Sequence, residues 1–568
     1  MKLWRHHFVI GAFAVCIVAL SVRVIALSVG ERDFLQQQGD ARSIRSESIS
    51  AIRGSIYDRN GEPLAVSTPV YAVWTDPSRG SLTDAEIRLL AEELDLSVDW
   101  VRNKLAKDAN KQFVYLKRGI TWVQSQRIKA LGIKSLSLGQ EFRRYYPIAE
   151  AAAHVVGITD IDERGIEGVE LAFQKHLVGR PGAKTVLKDR RGNTIRDLEY
   201  LQAAQNGKDL YLSIDARLQF IAYRELKSAV QSHKAKSASL IMADVVSGEI
   251  LALVNQPSYN PNGTGRSAFE MRNRAVTDAF EPGSTVKPFT ALAALQTGRY
   301  DPQTEIDTAP GFFRVGGKLI QDPVNRATLS LAQALQKSSQ VALAKIALDL
   351  ETDAVFNVLS ATGVGDYVGT GLPGEAIGRL SAAELRYPVV QATLAYGYGL
   401  SVTPLQLSQA YLVLARGGSK VPLSILRREQ PPAAEQIFSV QNAQSVVAMM
   451  ELVTAREGTA FTAAIPDYRV AGKTGTARVV GEGGYDDERH LAWFAGMAPA
   501  TDPQIVMVVM VNEASAGLSG GGSVAAPIFS RVAQRSLRLL GISPDAHSTA
   551  APPAEMAGNS GVKIEVGG

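Results

Sequence analysis

Phe280-Glu281-Pro282-Gly283-Ser284-Thr285-Val286-Lys287 decides the reading of this chain. A Pro-Gly turn runs directly into the apolar stretch that begins at Pro288, so Ser284 is expected at the start of a helix with Lys287 one turn on. The i, i+3 spacing puts both side chains on one helix face, where a neutral Lys amine can take the Ser hydroxyl proton and create a nucleophile. The N–H donors that a helix N-terminus leaves unpaired lie nearby. Alone, the same spacing also describes a solvated Ser and Lys on an ordinary helix.

Two apolar strands precede this stretch, Ala238 to Asp244 and Glu249 to Asn255, joined as a hairpin by Val246-Ser247-Gly248. From about 284 to 460 the pattern is mostly helical. Three strands follow, at roughly Tyr468 to Val480, His490 to Met497 and Gln504 to Asn512, and then a helix from about Ala526 to Leu540. Two strands, a helical insert, three strands and a helix imply an α+β fold, a five-stranded antiparallel sheet with helices packed on it, over residues 235–542. Residues 40–230 alternate short strand-like and helical runs and form a separate α+β module. Within it, Arg53 to Gly61 ends in an Asn-Gly tight-turn signal, and Asp58, Arg59 and Asn60 read as a structural turn. The tail 543–568, rich in Ala, Pro, Gly and Ser, is expected to be disordered.

The 568 residues are too many for one hydrophobic core, which agrees with this division. The 60 Lys and Arg against 56 Asp and Glu leave a net charge of +4 and no basic stripe, so nucleic acid is excluded as a partner. Cys16 is the sole cysteine, which rules out an intramolecular disulfide and a Cys-based zinc site, and no two histidines have the spacing of an H-E-x-x-H helix. Neither a metal nor a cofactor is expected. Residues 8–29 are apolar or small apart from Arg23 and long enough for one membrane crossing. Lys2 and Arg5 precede them and Glu31, Arg32 and Asp33 follow, so the tail 1–7 is expected in the cytoplasm and the rest exported. The small-x-small run Ala12-Phe13-Ala14 offers a signal-peptide alternative but sits too early in the apolar run, and Val15 argues against a lipoprotein at Cys16.

Two further segments bear on the chemistry. Lys473-Thr474-Gly475-Thr476 lies on the first late strand, where Gly475 lets another backbone approach an exposed edge. Lys337-Ser338-Ser339-Gln340 falls between it and Ser284. In this order and spacing the three segments resemble the S-x-x-K, S-x-N and K-T-G triplet of penicillin-recognising serine acyl-transferases. The anchor, Arg53 to Gly61, Arg143-Arg144-Tyr145-Tyr146-Pro147, Gly165 to Glu170, Tyr396 to Gln406 and Gly521-Gly522-Ser523-Val524-Ala525-Ala526-Pro527 extend the resemblance to class B penicillin-binding proteins. The division type, the septal peptidoglycan D,D-transpeptidases, is the nearest match.

The resemblance implies an elongated, dimerisation-type pedestal over 40–230 and a transpeptidase domain over 235–542, anchored in the inner (cytoplasmic) membrane with its catalytic domain periplasmic. It implies Ser284 as acyl-ester nucleophile, Lys287 as its base and Ser338 as the proton relay to the leaving D-alanine. Lys473 would depress the Lys287 pKa by like-charge repulsion, helped by partial burial. Thr474 and Thr476 would hold the substrate carboxylate beside Gly475, and the N–H groups of Ser284 and Thr476 would form the oxyanion hole. Gln340 departs from the family's Asn, carrying the same amide one methylene further out. Leu518-Ser519 stands where related enzymes often have aromatics, which suggests a remodelled pocket wall. His490, near this rim, reads first as a surface residue beginning a strand, and Tyr396 and Tyr398 read equally as cleft lining or packing anchors.

The implied reaction crosslinks stem peptides of the wall at the division septum, with β-lactams as covalent inhibitors. The implied partners are those stem peptides, the lipid-linked precursor's polymerised product, a membrane glycosyltransferase and divisome proteins. A D,D-carboxypeptidase or β-lactamase would use water as acceptor, but no E-x-x-L-N segment supplies a deacylating Glu. The module upstream also lacks the Glu-rich signature of a bifunctional glycosyltransferase. A non-catalytic β-lactam-binding scaffold or sensor is kept in view by Gln340 alone.

Overall fold

The computed structural model describes residues 3–77, 82–188, 194–481, 484–517 and 519–546. Leu518 and the expected tail from 547 onward lie outside the described residues. The N-terminal helix Leu3–Gly30 has 28 residues, none of them buried, and fits a single-pass membrane anchor.

Packing divides the chain into two compact units. The first comprises Met1–Gly54, Val70–Glu141 and Val178–Lys208. Its helices Asp84–Glu93 and Trp122–Ala130 start at Thr83 and Thr121, each completing a capping box with Glu86 or Gln124. Leu90, Leu94, Val101 and Ile128 from the helical faces bury against Val73, Leu116 and Ile120 of two strands. Ile44–Ile49, Gly182–Lys188 and Thr194–Gln202 form a separate three-stranded antiparallel sheet.

The second unit comprises Ser55–Pro69, Phe142–Leu177 and Asp209–Gly568. Residues 55–69 and 142–177, expected within the module 40–230, share this unit's core because Ile56, Leu64, Val155 and Val169 are buried in one apolar cluster with Ile241 and Leu253. Asp58 anchors the expected turn, accepting from Asn60 N at 2.7 Å, Glu62 N at 2.8 Å and Ala216 N at 3.0 Å. Arg144 Nε and Glu170 Oε1, 2.6 Å apart and buried, tie together two of the segments singled out in the sequence.

The five-stranded antiparallel sheet is present. Its strands are β1 (Ser237–Asp244), β2 (Ile250–Gln256), β3 (Ala471–Gly481), β4 (Gly484–Ala498) and β5 (Ile505–Asn512), in the order β2-β1-β5-β4-β3. Every residue of β5 is buried, since both faces of the sheet are covered. Val506, Val508 and Met510 join one core with Phe289 and Tyr411, whereas Met507, Val509 and Val511 join the other with Leu218, Phe529 and Val532. The helices of these cores are α1 (Ala216–His233) and α7 (Ala525–Leu539) on one face. On the other, the insert supplies α2 (Lys287–Gln296), α3 (Leu331–Gln336), α4 (Gln340–Asp349), α5 (Pro404–Ala415) and α6 (Val440–Thr454). β3 is thereby left as an edge strand, with a sheet neighbour on one side only.

Candidate active site

Ser284 lies in a 3-10 turn, Gly283–Val286, that feeds α2 at Lys287, where an α-helical first turn was expected. The tighter turn eclipses residues three apart, so Ser284 and Lys287 share a face more directly than α-geometry would give. Gly283 adopts φ +53° and its N–H donates to Gly397 O at 3.2 Å. A Cβ on Gly397 would stand 1.9 Å from Gly283 O, so only glycine admits this contact. Gly399 N–H donates to Glu281 Oε1 at 3.0 Å, and Tyr411 Oη donates to Thr285 O at 2.8 Å. The Tyr396-to-Gly399 joint thus seats the serine turn. Tyr396 itself is a packing anchor, buried with Val341, Ala344 and Ala392. Ser284 is half-buried, and its hydroxyl makes no hydrogen bond among the described residues.

Ser338 sits between α3 and α4 in the left-handed region, φ +57°. The chain reverses there, and Ser339 caps α4 by accepting from Ala342 N at 2.9 Å. Asp322 completes the cap: its carboxylate accepts from Gln340 N at 2.6 Å, from Val341 N at 3.3 Å and from the Ser339 hydroxyl. Ser338 Oγ is bridged from two sides, by Lys287 Nζ at 3.1 Å and Lys473 Nζ at 3.0 Å. Three segments distant in the chain thus meet at one oxygen.

Lys473 comes from edge strand β3, whose register pairs Lys473 with Ala495, Gly475 with Trp493 and Thr476 with Ala492. A Cβ on Gly475 would lie 2.6 Å from Pro282 O and 2.9 Å from Thr285 Cγ2, so the missing side chain brings β3 against the serine turn. Thr476 Oγ1 accepts from Gly521 N at 3.1 Å, and Thr474 Oγ1 shares a hydrogen bond with Thr459 Oγ1 at 3.2 Å. Gly521 is equally constrained, because a Cβ there would meet Trp493 O at 2.3 Å and Gly475 O at 2.5 Å.

Residues 238–534 match the penicillin binding protein transpeptidase domain and residues 48–212 the penicillin-binding protein dimerisation domain. The chain is 41% identical over 556 residues to the peptidoglycan D,D-transpeptidase FtsI of Escherichia coli strain K12, covering 96% of this chain and 93% of that one. It belongs to the division-type class B penicillin-binding proteins. Among solved structures, the transpeptidase domain of Burkholderia pseudomallei penicillin-binding protein 3 aligns with a TM-score of 0.55 and 40% identity, over 59% of this chain and 97% of that one. Penicillin-binding protein 3 of Mycobacterium tuberculosis, solved with aztreonam, aligns with a TM-score of 0.68 and 26% identity, over 88% of this chain and 98% of that one.

In this penicillin-binding protein both lysines of the site are fully buried, with 0% of their surface exposed. Burial pushes the Lys287 amine down to about 7, with the Asp322 carboxylate pulling the other way. Lys473 is pushed well down by burial and then by the Lys287 charge. The expectation that Lys473 depresses Lys287, with burial helping, is therefore corrected. Desolvation leads for both lysines, because no solvent reaches either ammonium.

Gln340 opens α4 half-buried, with its backbone N–H engaged by Asp322. His490 lies inside β4, which starts at Gly484, instead of beginning a strand; it is half-buried opposite Arg478. Asp322 is the residue that sequence reasoning missed. It lies just after the strand Lys318–Gln321 and far from the Ser338 segment in the chain, and its sole signal is Pro323 immediately following.

Proposed function

We propose that this peptidoglycan D,D-transpeptidase crosslinks stem peptides through an acyl-enzyme on Ser284 at the division septum. The observation that carries the reading is the convergence of Lys287 Nζ and Lys473 Nζ on Ser338 Oγ, at 3.1 and 3.0 Å, beside the Ser284 turn. An amine near its neutral form at pH 7 can accept the Ser284 hydroxyl proton as Oγ attacks the carbonyl carbon between the two terminal D-alanines. The N–H groups of Ser284 and Thr476 receive the tetrahedral oxyanion. A donor placed there typically contributes roughly 3 to 4 kcal/mol.

Collapse breaks the C–N bond, and the proton held on Lys287 passes through Ser338 to the departing D-alanine nitrogen. The acceptor amine then loses a proton along the same path as it attacks the ester, releasing Ser284. Thr474 and Thr476 hold the terminal carboxylate of the donor peptide above the buried Lys473, and Gln340 addresses its backbone. A β-lactam follows the first half of this course, but its opened ring stays tethered and nothing leaves.

The charges flanking the anchor support a cytoplasmic N-terminus and an exported catalytic unit in the cytoplasmic membrane. No glycan-polymerising signature was found in the chain, so a membrane glycosyltransferase must supply the strands, and divisome proteins are the partners in keeping with the family. The test is intact-mass and peptide mapping of the full chain in detergent after exposure to a penicillin. One adduct on Ser284, absent from Ser284→Ala, is expected. No adduct at any pH would instead favour the non-catalytic scaffold, and rapid turnover of the penicillin would favour a hydrolase.

A further inference from the structure

The residues after α7 as far as Ala546, of which Ser543 to Ala546 were expected in the disordered tail, fold over the approach to β3. Ile542 O accepts from Tyr468 Oη at 2.7 Å, and Ala546 N donates to Asp467 O at 3.0 Å. Between them the buried Asp545 carboxylate reaches two loops at once. One oxygen accepts from Arg469 N at 2.6 Å; the other accepts from Thr501 Oγ1 at 2.7 Å and Thr501 N at 3.4 Å. Glu451 of α6 grips the Arg469 guanidinium with two bonds of 3.0 Å, and Thr454 Oγ1 donates to Val470 O at 2.5 Å.

Ala471 opens β3 immediately afterwards. Lys473 is four residues past Arg469, roughly 13 Å along an extended strand. An edge strand has ladder bonds on one side only, so its height against the serine turn depends on how its end is fixed. Thr501 belongs to the turn between β4 and β5, so Asp545 ties the start of β3 to the frame of the sheet.

We propose that Asp545 is a positioning residue for the acylation site: its carboxylate fixes the start of β3 and thereby the placement of Lys473, Thr474 and Thr476 against Ser284. The proposal rests on the acyl-enzyme reading above. Asp545→Ala leaves Arg469 N and the Thr501 hydroxyl without their acceptor. Asp545→Asn keeps an oxygen for Arg469 N and places an amide that can donate to Thr501 Oγ1.

The test is stopped-flow acylation of the full chain in detergent by a chromogenic cephalosporin, separating the dissociation constant of the first complex from the first-order acylation constant. Thermal unfolding of each variant is followed in parallel. For Asp545→Ala, at a temperature where it is fully folded, the first-order constant is expected to fall about tenfold or more, since a shift of about 1 Å can cost about 100-fold. Asp545→Asn is expected to stay within about twofold of wild type, and the final adduct mass to be unchanged.

If Asp545→Ala melts at lower temperature yet acylates at the wild-type rate, the residue is only a stabiliser and the proposal fails. If Asp545→Ala does not fold, Thr501→Val decides: a reduced first-order constant supports the proposal and an unchanged one overturns it. A wild-type chain that forms no adduct overturns the acyl-enzyme reading and this proposal together, whereas equal rates in wild type and Asp545→Ala overturn the proposal alone.

Discussion

Replacing Lys473 by Met separates burial from charge repulsion as the cause of the reactive state of Lys287. Bonds of 3.1 and 3.0 Å to one oxygen keep the two lysine nitrogens within about 6 Å of each other. At an effective dielectric of about 20, two ammonium charges at that distance repel by about 3 kcal/mol, or about 2 pKa units. The pair therefore cannot hold two protons near neutrality, and its titration belongs to both residues. Burial lowers both amines, and the Lys287 charge lowers Lys473 as well, whereas burial leads the shift that brings Lys287 down to about 7. Because burial and not a Lys473 charge leads the shift at Lys287, Lys473→Met is expected to keep the acid limb of the acylation profile at about pH 7. Its plateau should fall about 100- to 1,000-fold, because the donor that holds Ser338 Oγ is gone. The assay is the first-order acylation constant of the full chain between about pH 5.5 and 9. An acid limb displaced upward by about 2 units would refute the reasoning, for it would mean that a charged Lys473 sets the Lys287 proton affinity.

Asp322→Asn removes the carboxylate that opposes burial at Lys287, so the same acid limb is expected to move below pH 7, with a lower plateau as the Ser338 turn loosens; an unmoved limb would exclude the charge effect. Gly397→Ala forces a methyl to within 1.9 Å of Gly283 O at φ +91°, and is expected to cost about 2 to 4 kcal/mol in urea unfolding and to slow acylation. Gly399→Ala is the control: its φ is +79°, but a Cβ there would have nothing closer than 4.0 Å, so about 1 kcal/mol is expected.

What the sequence could carry here follows from the range of the interaction that fixes each feature. β1, β2 and β5 were legible because each is a local apolar run, and β5 reads as strand regardless of what covers it, whereas the charged stretch Asp486 to Arg489 hid the start of β4. Ser284 and Lys287 were legible as a pair because three residues of separation put them on one face in either helix type, although the 3-10 turn itself is imposed from outside, by Gly397 O on Gly283 N. Ser338 and Lys473 could be placed beside them only through the resemblance, since no local pattern brings residues so far apart onto one oxygen. Asp322 and Asp545 had no such help. Each is a single carboxylate that acts by accepting backbone N–H groups from a distant segment, and one buried acceptor leaves no periodicity to detect. The shortfall over the Lys287 pKa has the same origin. Charge can be counted along a sequence, but desolvation is a property of the assembled walls, and at 0% exposure it outweighs the neighbouring charge. The residues that perform the chemistry were therefore readable as motifs, while the residues that set their geometry and proton affinity became visible only once the chain was folded.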